Sequence, residues 1–337
     1  MDSLPFISVI IPNRNGVNTI ARCLEAAFGS RCRPSFEVIV VDDASVDGSV
    51  EVIQRFPCRL IRLARRHGAA GARNVGAAHA RGELLFFTDA DCLLRDDTLD
   101  AACRKLSTGQ PTTVAGGTYT PLPHDDSFFS RFQSVFIHYS ETKRADDPDY
   151  VATHALAIRA ETFHQHGGFA EGFLPILEDV EFSHRLRRGG CRLVIETTIQ
   201  VRHVFNFSLF RSLRNACVKA MYWTLYSLRN RDLLVDSGTA SHELKANVAS
   251  YFISLPCVGA YLLTGAAGWL GVAAAAFAGN LLVSRGLLKG FRAAGGRRFA
   301  AVAGIYYFFV YPLAVGAVAF GGAALFLAGA CRPRGTR

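Results

Sequence analysis

Two adjacent carboxylates, Asp42 and Asp43, follow the apolar run from Phe36, and two more, Asp89 and Asp91, follow the run Leu84 to Phe87. Carboxylates at the carboxyl ends of buried parallel strands lie where open α/β sheets hold their ligands. One such pair is equally a solvated turn or a helix cap. Two pairs in one parallel sheet should converge on a single crevice, and that chemistry suits a divalent ion and a phosphate. Glu178, Asp179 and Glu181 open a further helix. They either complement the positive helix terminus or supply a general base. His203, between Val201 and Val204, is either packed or completes a metal shell; the sequence supports both readings.

The elements that must position these groups alternate at short spacing. Strands are expected at 6–11, stopped by Pro12, and at 36–41, 58–63, 84–87, 114–119, 153–159 and 191–196, the last leading through Val201 to His203. Helices are expected after Asn18 or Thr19, at about 49–55, over the segment of Gly68, Gly71 and Gly76, between 97 and 109, at 161–166 and from Pro175. This alternation predicts a mostly parallel sheet covered by helices. The first strand ends in Pro-Asn-Arg-Asn-Gly rather than G-x-G-x-x-G, which excludes a dinucleotide fingerprint, and G-x-x-x-x-G-K-[ST] is absent. Phe128, Phe129, Phe132, Phe136 and Tyr139 recur at helical spacing. They form either a core-facing or membrane-adjacent stripe, or a wall for a greasy acceptor.

Beyond residue 245 the composition changes. No charged residue occurs from Ala246 to Ser284 or from Phe299 to Cys331. Stretches of that length and polarity suit lipid. Spans are expected at 247–266 and 268–284, with 299–330 forming one span or a hairpin broken near Pro312 to Gly322. Arg332, Arg334 and Arg337 favour an even number of crossings. Arg285, Lys289, Arg292, Arg297 and Arg298 fill the connector between the apolar stretches. The net charge of +9 is therefore read as a cytoplasmic membrane face and not as nucleic-acid binding. From Ser208 to Arg231, basic residues interleave with Leu209, Phe210, Tyr222, Trp223 and Tyr226, as in an interfacial amphipathic helix. The nine scattered cysteines, with no C-x-x-C, read as reduced thiols. The first five residues lack a basic n-region, so the expectation is no secretory signal and a polar region in the cytoplasm, at the inner membrane.

Five separated motifs then fall into one pattern: Ser8-Val-Ile-Ile-Pro-Asn-Arg-Asn-Gly16, Glu37-Val-Ile-Val-Val-Asp-Asp-Ala-Ser45 with Asp47-Gly-Ser49, Gly71-Ala-Arg-Asn-Val-Gly76, Thr88-Asp-Ala-Asp91 and Leu177-Glu-Asp-Val-Glu-Phe182. In order and spacing, residues 6–205 resemble a family 2 glycosyltransferase of GT-A fold, with Asp89 and Asp91 as its D-x-D motif. The resemblance implies a catalytic domain at 1–205, and the composition of the remainder adds an interfacial helix and connector at 206–245 and transmembrane helices at 246–331. The resemblance also implies a nucleotide-sugar donor, a UDP-sugar before a GDP-sugar, with Mg²⁺ or Mn²⁺. By the same resemblance, Asp43 with the backbone around Pro12 and Arg14 would receive the base, Arg73 would line the nucleotide pocket and Asp89 would face the ribose. Asp91 would hold the metal, Asp179 would be the base with Glu178 beside it, and His203 would add a metal or phosphate contact. The Gln-x-x-Arg-Trp motif of processive synthases is absent after His203. One sugar per encounter is therefore expected, moved to a membrane lipid or lipid-linked saccharide, with a processive synthase and a non-catalytic scaffold as the rival readings.

Overall fold

The computed structural model describes residues 6–172 and 176–328. The expectations that touch the first five residues, Pro175, Cys331, Arg332, Arg334 and Arg337 lie outside the described residues. The chain divides into two compact units, one of Met1–Asp126 and Ser140–Asn206, the other of Ser127–Tyr139 and Phe207–Arg337.

The first unit is built on an eight-stranded sheet of order β3-β2-β1-β4-β7-β6-β8-β5. Its strands are β1 (Ile7–Asn13), β2 (Phe36–Asp42), β3 (Arg59–Arg62), β4 (Leu84–Phe87), β5 (Cys92–Leu94), β6 (Thr113–Tyr119), β7 (Leu156–Arg159) and β8 (Arg192–His203). Its helices are α1 (Ile20–Phe28), α2 (Ser49–Ile53), α3 (Gly68–Ala78), α4 (Thr98–Thr108), α6 (Ala160–Gln165) and α7 (Glu178–Arg188), while α5 (Phe128–Thr142) contributes its last residues. The expectation of a mostly parallel sheet holds in part, since the sheet is mixed. β1, β2, β3 and β4 are parallel, but β7 runs antiparallel to both β4 and β6, and β5 antiparallel to β8. The sheet is mixed because the chain returns from α5 along β7, between two strands that run the other way.

Pro12 does not stop β1, which continues to Asn13. In β1 the odd positions near its end bond β2, as in the Asp43 N–H to Asn13 carbonyl bond, while Ile10 faces β4 and accepts from Thr88 N–H. Pro12 therefore turns its missing N–H to the side where β4 has already ended, and no ladder bond is lost. The core lies on the sheet's apolar positions: Ile10, Leu85, Phe87, Leu156, Ile158, Phe163, Phe169 and Phe182 form one buried cluster. Gly76 lets α3 approach this core, because a Cβ there would sit 2.5 Å from Ile10 Cγ2. β5, a three-residue strand directly after the Asp91 turn, had no periodic signal in the sequence.

The second unit is helical: the first part of α5, then α8 (Leu209–Asn230), α9 (His242–Thr264), α10 (Gly268–Val283), α11 (Arg285–Ile305), a π turn at Tyr306–Val310 and α12 (Tyr311–Leu327). Ser208 caps α8 by accepting from Arg211 N–H, and Ser241 caps α9 by accepting from Leu244 N–H. Gly265, at φ 68°, ends α9. Of the two alternatives for 299–330, one span or a hairpin broken near Pro312 to Gly322, the described residues follow the unbroken one, helical through Leu327. Pro312 sits in the first turn of α12, where a missing N–H is tolerated. A break lies earlier, at Gly296 (φ 74°, ψ −172°), so the basic connector is itself helical up to that point. Two helical stretches, His242–Thr264 and Arg285–Leu327, are long and apolar enough to cross a membrane, and Gly268–Val283 is a shorter apolar helix.

Candidate active site

The ends of β1, β2 and β4 bring the motif residues to one edge of the sheet, and each motif has a distinct job there. Asp42 is a structural carboxylate. It accepts from Asn13 Nδ2 at 2.9 Å and from Ser45 N–H at 3.1 Å, and so ties the β1 and β2 ends together. Asp43 is buried and accepts the backbone N–H groups of His67 at 2.6 Å and Gly68 at 2.9 Å, which anchors the start of α3. Arg14 donates to the Asp43 carbonyl at 2.7 Å. Ala44, between Asp43 and Ser45, holds φ 55°, an uncommon conformation for a residue with a Cβ, as turns at ligand sites often require.

Arg73 is the electrostatic centre. It is 4% exposed, and its two terminal nitrogens donate to Asp89 at 2.6 Å and to Glu178 at 2.5 Å. Burial alone would raise the Asp89 carboxyl, but the guanidinium holds it below the usual carboxylate range. Arg73 is thus engaged with carboxylates on both sides instead of lying open along a pocket. Leu177, at φ 76°, makes the turn that delivers Glu178 and Asp179 to the start of α7. Asp179 accepts Val180 N–H at 2.9 Å and Thr153 N–H at 3.4 Å. Burial and the neighbouring Glu178 push its carboxyl up to about 6, against the pull of Arg73. A carboxylate poised there suits proton transfer near neutral pH.

Asp91, Cys92 and His203 place one ligand atom each within 4.8 Å of one another, and His203 Nε2 lies 3.4 Å from an Asp91 oxygen. The sheet explains this: Cys92 and His203 are directly paired across β5 and β8. An oxygen, a sulfur and an imidazole nitrogen fit a divalent transition ion. Asp91 and His203 were expected as ligands; Cys92 was not, because its place depends on a strand too short to read. Two aromatic rings pack against His203. Phe205 stacks on it at 3.9 Å, and Tyr119 meets it edge-on at 5.1 Å. Behind Tyr119, His154 stacks at 4.0 Å and is in turn 3.5 Å from Glu141, which accepts from Thr118 at 2.8 Å. Burial alone would lower the His154 pKa, and Glu141 raises it above the ordinary value. Tyr119, Glu141 and His154 had no individual signal in the sequence.

Residues 8–167 match the family model for glycosyl transferase family 2. Glycosyltransferase AglE of Haloferax volcanii is 28% identical over 173 residues, which covers 50% of this chain and 57% of that protein. An uncharacterized glycosyltransferase of Haemophilus influenzae is 39% identical over 195 residues, covering 53% of this chain and 61% of that one. The chain therefore spans less than two thirds of the length of these curated relatives. Among solved structures, the mannosyltransferase PcManGT of Pyrobaculum calidifontis, in complex with GDP-Man and Mn²⁺, superposes with a TM-score of 0.58 at 21% identity. That alignment covers 96% of this chain and 87% of that one, and at such identity the likeness is one of fold.

Proposed function

We propose that this chain, whose sheet-bearing unit is a family 2 glycosyltransferase-like domain of GT-A-like fold, transfers one sugar from a nucleoside diphosphate donor to a hydroxyl of a membrane lipid or lipid-linked saccharide, with inversion. The observation that carries the reading is the Asp91–Cys92–His203 cluster two residues along from Asp89, which buried Arg73 ties to Glu178 beside Asp179.

Asp91 and His203, with Cys92, would hold a Mn²⁺ or Mg²⁺ ion, which when bound offsets charge developing on the diphosphate. The ends of β1 and β2, with Asp43, Pro12 and Arg14, form the floor for the nucleoside. Asp89, fixed by Arg73, keeps its charge and presents its remaining lone pairs to the ribose side. Asp179 accepts the proton of the acceptor hydroxyl as its oxygen bonds to the anomeric carbon. The bond from that carbon to the phosphate oxygen breaks in the same displacement, and the nucleoside diphosphate departs. The charge of Glu178, only partly offset by the shared Arg73, raises the basicity of the adjacent Asp179. The two long apolar helical stretches support a membrane-borne acceptor. The basic α8 supports an interfacial position.

The test incubates membranes containing the full chain with radiolabelled UDP-sugars and GDP-mannose, with and without Mn²⁺, followed by lipid extraction. Metal-dependent label in the lipid fraction is the expected result. Absence of labelled lipid across the panel refutes the lipid acceptor, and label unaffected by Asp91→Ala refutes the metal assignment.

A further inference from the structure

The charge of this protein is unevenly placed. From Leu244 to the C-terminus there are nine Lys or Arg residues and no Asp or Glu, so the entire net charge of +9 resides there and the preceding residues are balanced. Five of these cations lie on or just after the first part of α11: Arg285, Lys289 and Arg292 before the break at Gly296, and Arg297 and Arg298 after it.

The helix sorts them onto one side. Arg285, Lys289 and Arg292 are spaced by four and then three residues, so they line one face, and all are exposed. Leu287 and Phe291, on the opposite face, are completely buried. Phe291 stacks on Phe132 of α5 at 5.2 Å, and Gly290 lies against Val135, where a Cβ would stand 3.5 Å from the valine. The helix is thus anchored by its apolar edge within the second unit while its cationic edge is presented outward. Among the described residues none of the five cations has an anionic side-chain partner. The segments on either side expose apolar groups: Leu281, Leu282 and Val283 before it, Val302, Ile305 and Phe309 after it.

A row of unpaired cations bounded at both ends by exposed apolar helix has the layout of an element lying along a lipid surface. We propose that the face Arg285–Lys289–Arg292, extended by Arg297 and Arg298, binds the phosphates of anionic phospholipid headgroups. This rests on the membrane reading given above and adds a lipid preference to it. Charge complementarity selects the occupant: the face carries no acid, so a zwitterionic headgroup gains little from it, whereas an anionic one gains from every cation within a Debye length. Gly296 gives the arrangement its geometry. Only there does the backbone leave helical angles, so the cationic part is free to take a direction different from that of the apolar helix which follows.

The test reconstitutes the full chain in phosphatidylcholine vesicles and measures, by electron paramagnetic resonance, the association of spin-labelled phosphatidylglycerol relative to spin-labelled phosphatidylcholine. The wild type is expected to prefer the anionic lipid, with the preference weakening as salt rises. The triple variant Arg285→Gln, Lys289→Gln, Arg292→Gln should lower that preference by roughly tenfold or more, whereas Arg285→Lys with Arg292→Lys should keep it. Circular dichroism and transferase activity in detergent report that the exposed substitutions leave the fold intact. A wild type without preference, or a triple variant that retains it in full, overturns the proposal while leaving the membrane reading in place. A chain stripped from membranes by alkaline carbonate overturns both.

Discussion

His154 lies face to face with Tyr119, their ring centroids 4.0 Å apart and their planes 25° from parallel. Tyr119 meets His203 near a right angle, Phe205 stacks on that imidazole, and the two rings also touch each other, so the proposed metal ligand sits in an aromatic cluster that leads back to Glu141. Groups that orient a metal ligand commonly affect affinity by roughly 10- to 100-fold. His154→Leu is therefore expected to weaken Mn²⁺ binding within that range, measured by electron paramagnetic resonance with UDP present. Turnover at saturating Mn²⁺ should fall far less. Equal losses in both would show that His154 serves only the core.

The Asp179 carboxyl, raised to about 6, gives a pH dependence with a definite sign. As a base it must be ionised, so kcat/KM should rise through an acid limb near pH 6 and then level. Asp179→Asn should lower kcat by about 10²- to 10⁴-fold. Stability moves the other way. Because the folded-state pKa lies above the unfolded one, stability is full below the unfolded pKa and is lost as pH rises through about 6. Asp179→Asn should consequently melt higher than wild type at pH 7.5, by on the order of 2 kcal/mol. The difference should disappear near pH 4.

Arg73 is shared between Asp89 and Glu178 in a buried setting, one positive charge against two negative ones. Removing one member of such a group leaves uncompensated charge, at a cost of roughly 3–5 kcal/mol. Arg73→Ala should lower the unfolding midpoint accordingly in denaturant titrations. Arg73→Lys should recover only part of the loss, since a single ammonium cannot donate along two fixed directions as the planar guanidinium does.

Cys92 distinguishes metals. Burial and the neighbouring Asp91 and Asp89 push the Cys92 thiol well up, so it coordinates only where an ion displaces its proton, which softer ions do more readily than Mg²⁺. Co²⁺ added to the wild type with UDP should produce a thiolate-to-cobalt charge-transfer band in the near ultraviolet. Cys92→Ser should lose that band and retain Mg²⁺-supported turnover. A band that persists in the serine variant would remove Cys92 from the coordination set.

Much of this site was legible where chemistry is local. The run Leu84 to Phe87 is the strand the residues suggested, and the acids after it do stand at the sheet edge. The Glu178–Asp179 pair opens α7 as its spacing implied. What escaped depends on partners far apart in the chain. Nothing local announces the bonds of Arg73 to Asp89 and to Glu178, the latter 105 residues away. Cys92 was read as a small hydrophobe, since its pairing with His203 exists only once β5 and β8 meet. The antiparallel course of β7 was hidden for the same reason: an apolar run specifies burial, and direction comes from the route of the connecting chain. In the tail, the basic connector looked like a loop because its charges masked an amphipathic helix whose apolar edge is only a few residues wide.

The double engagement of Arg73 also bears on the order in which ligands arrive. With one guanidinium offsetting part of the charge of Asp89 and Glu178, the negative charge beside Asp91 is smaller than the carboxylates alone would give, and a lone divalent ion is held the more weakly for it. A diphosphate brings the missing negative charge with it. The empty protein is thereby biased toward capturing the ion and the donor as one complex, and toward releasing them together once the sugar has left.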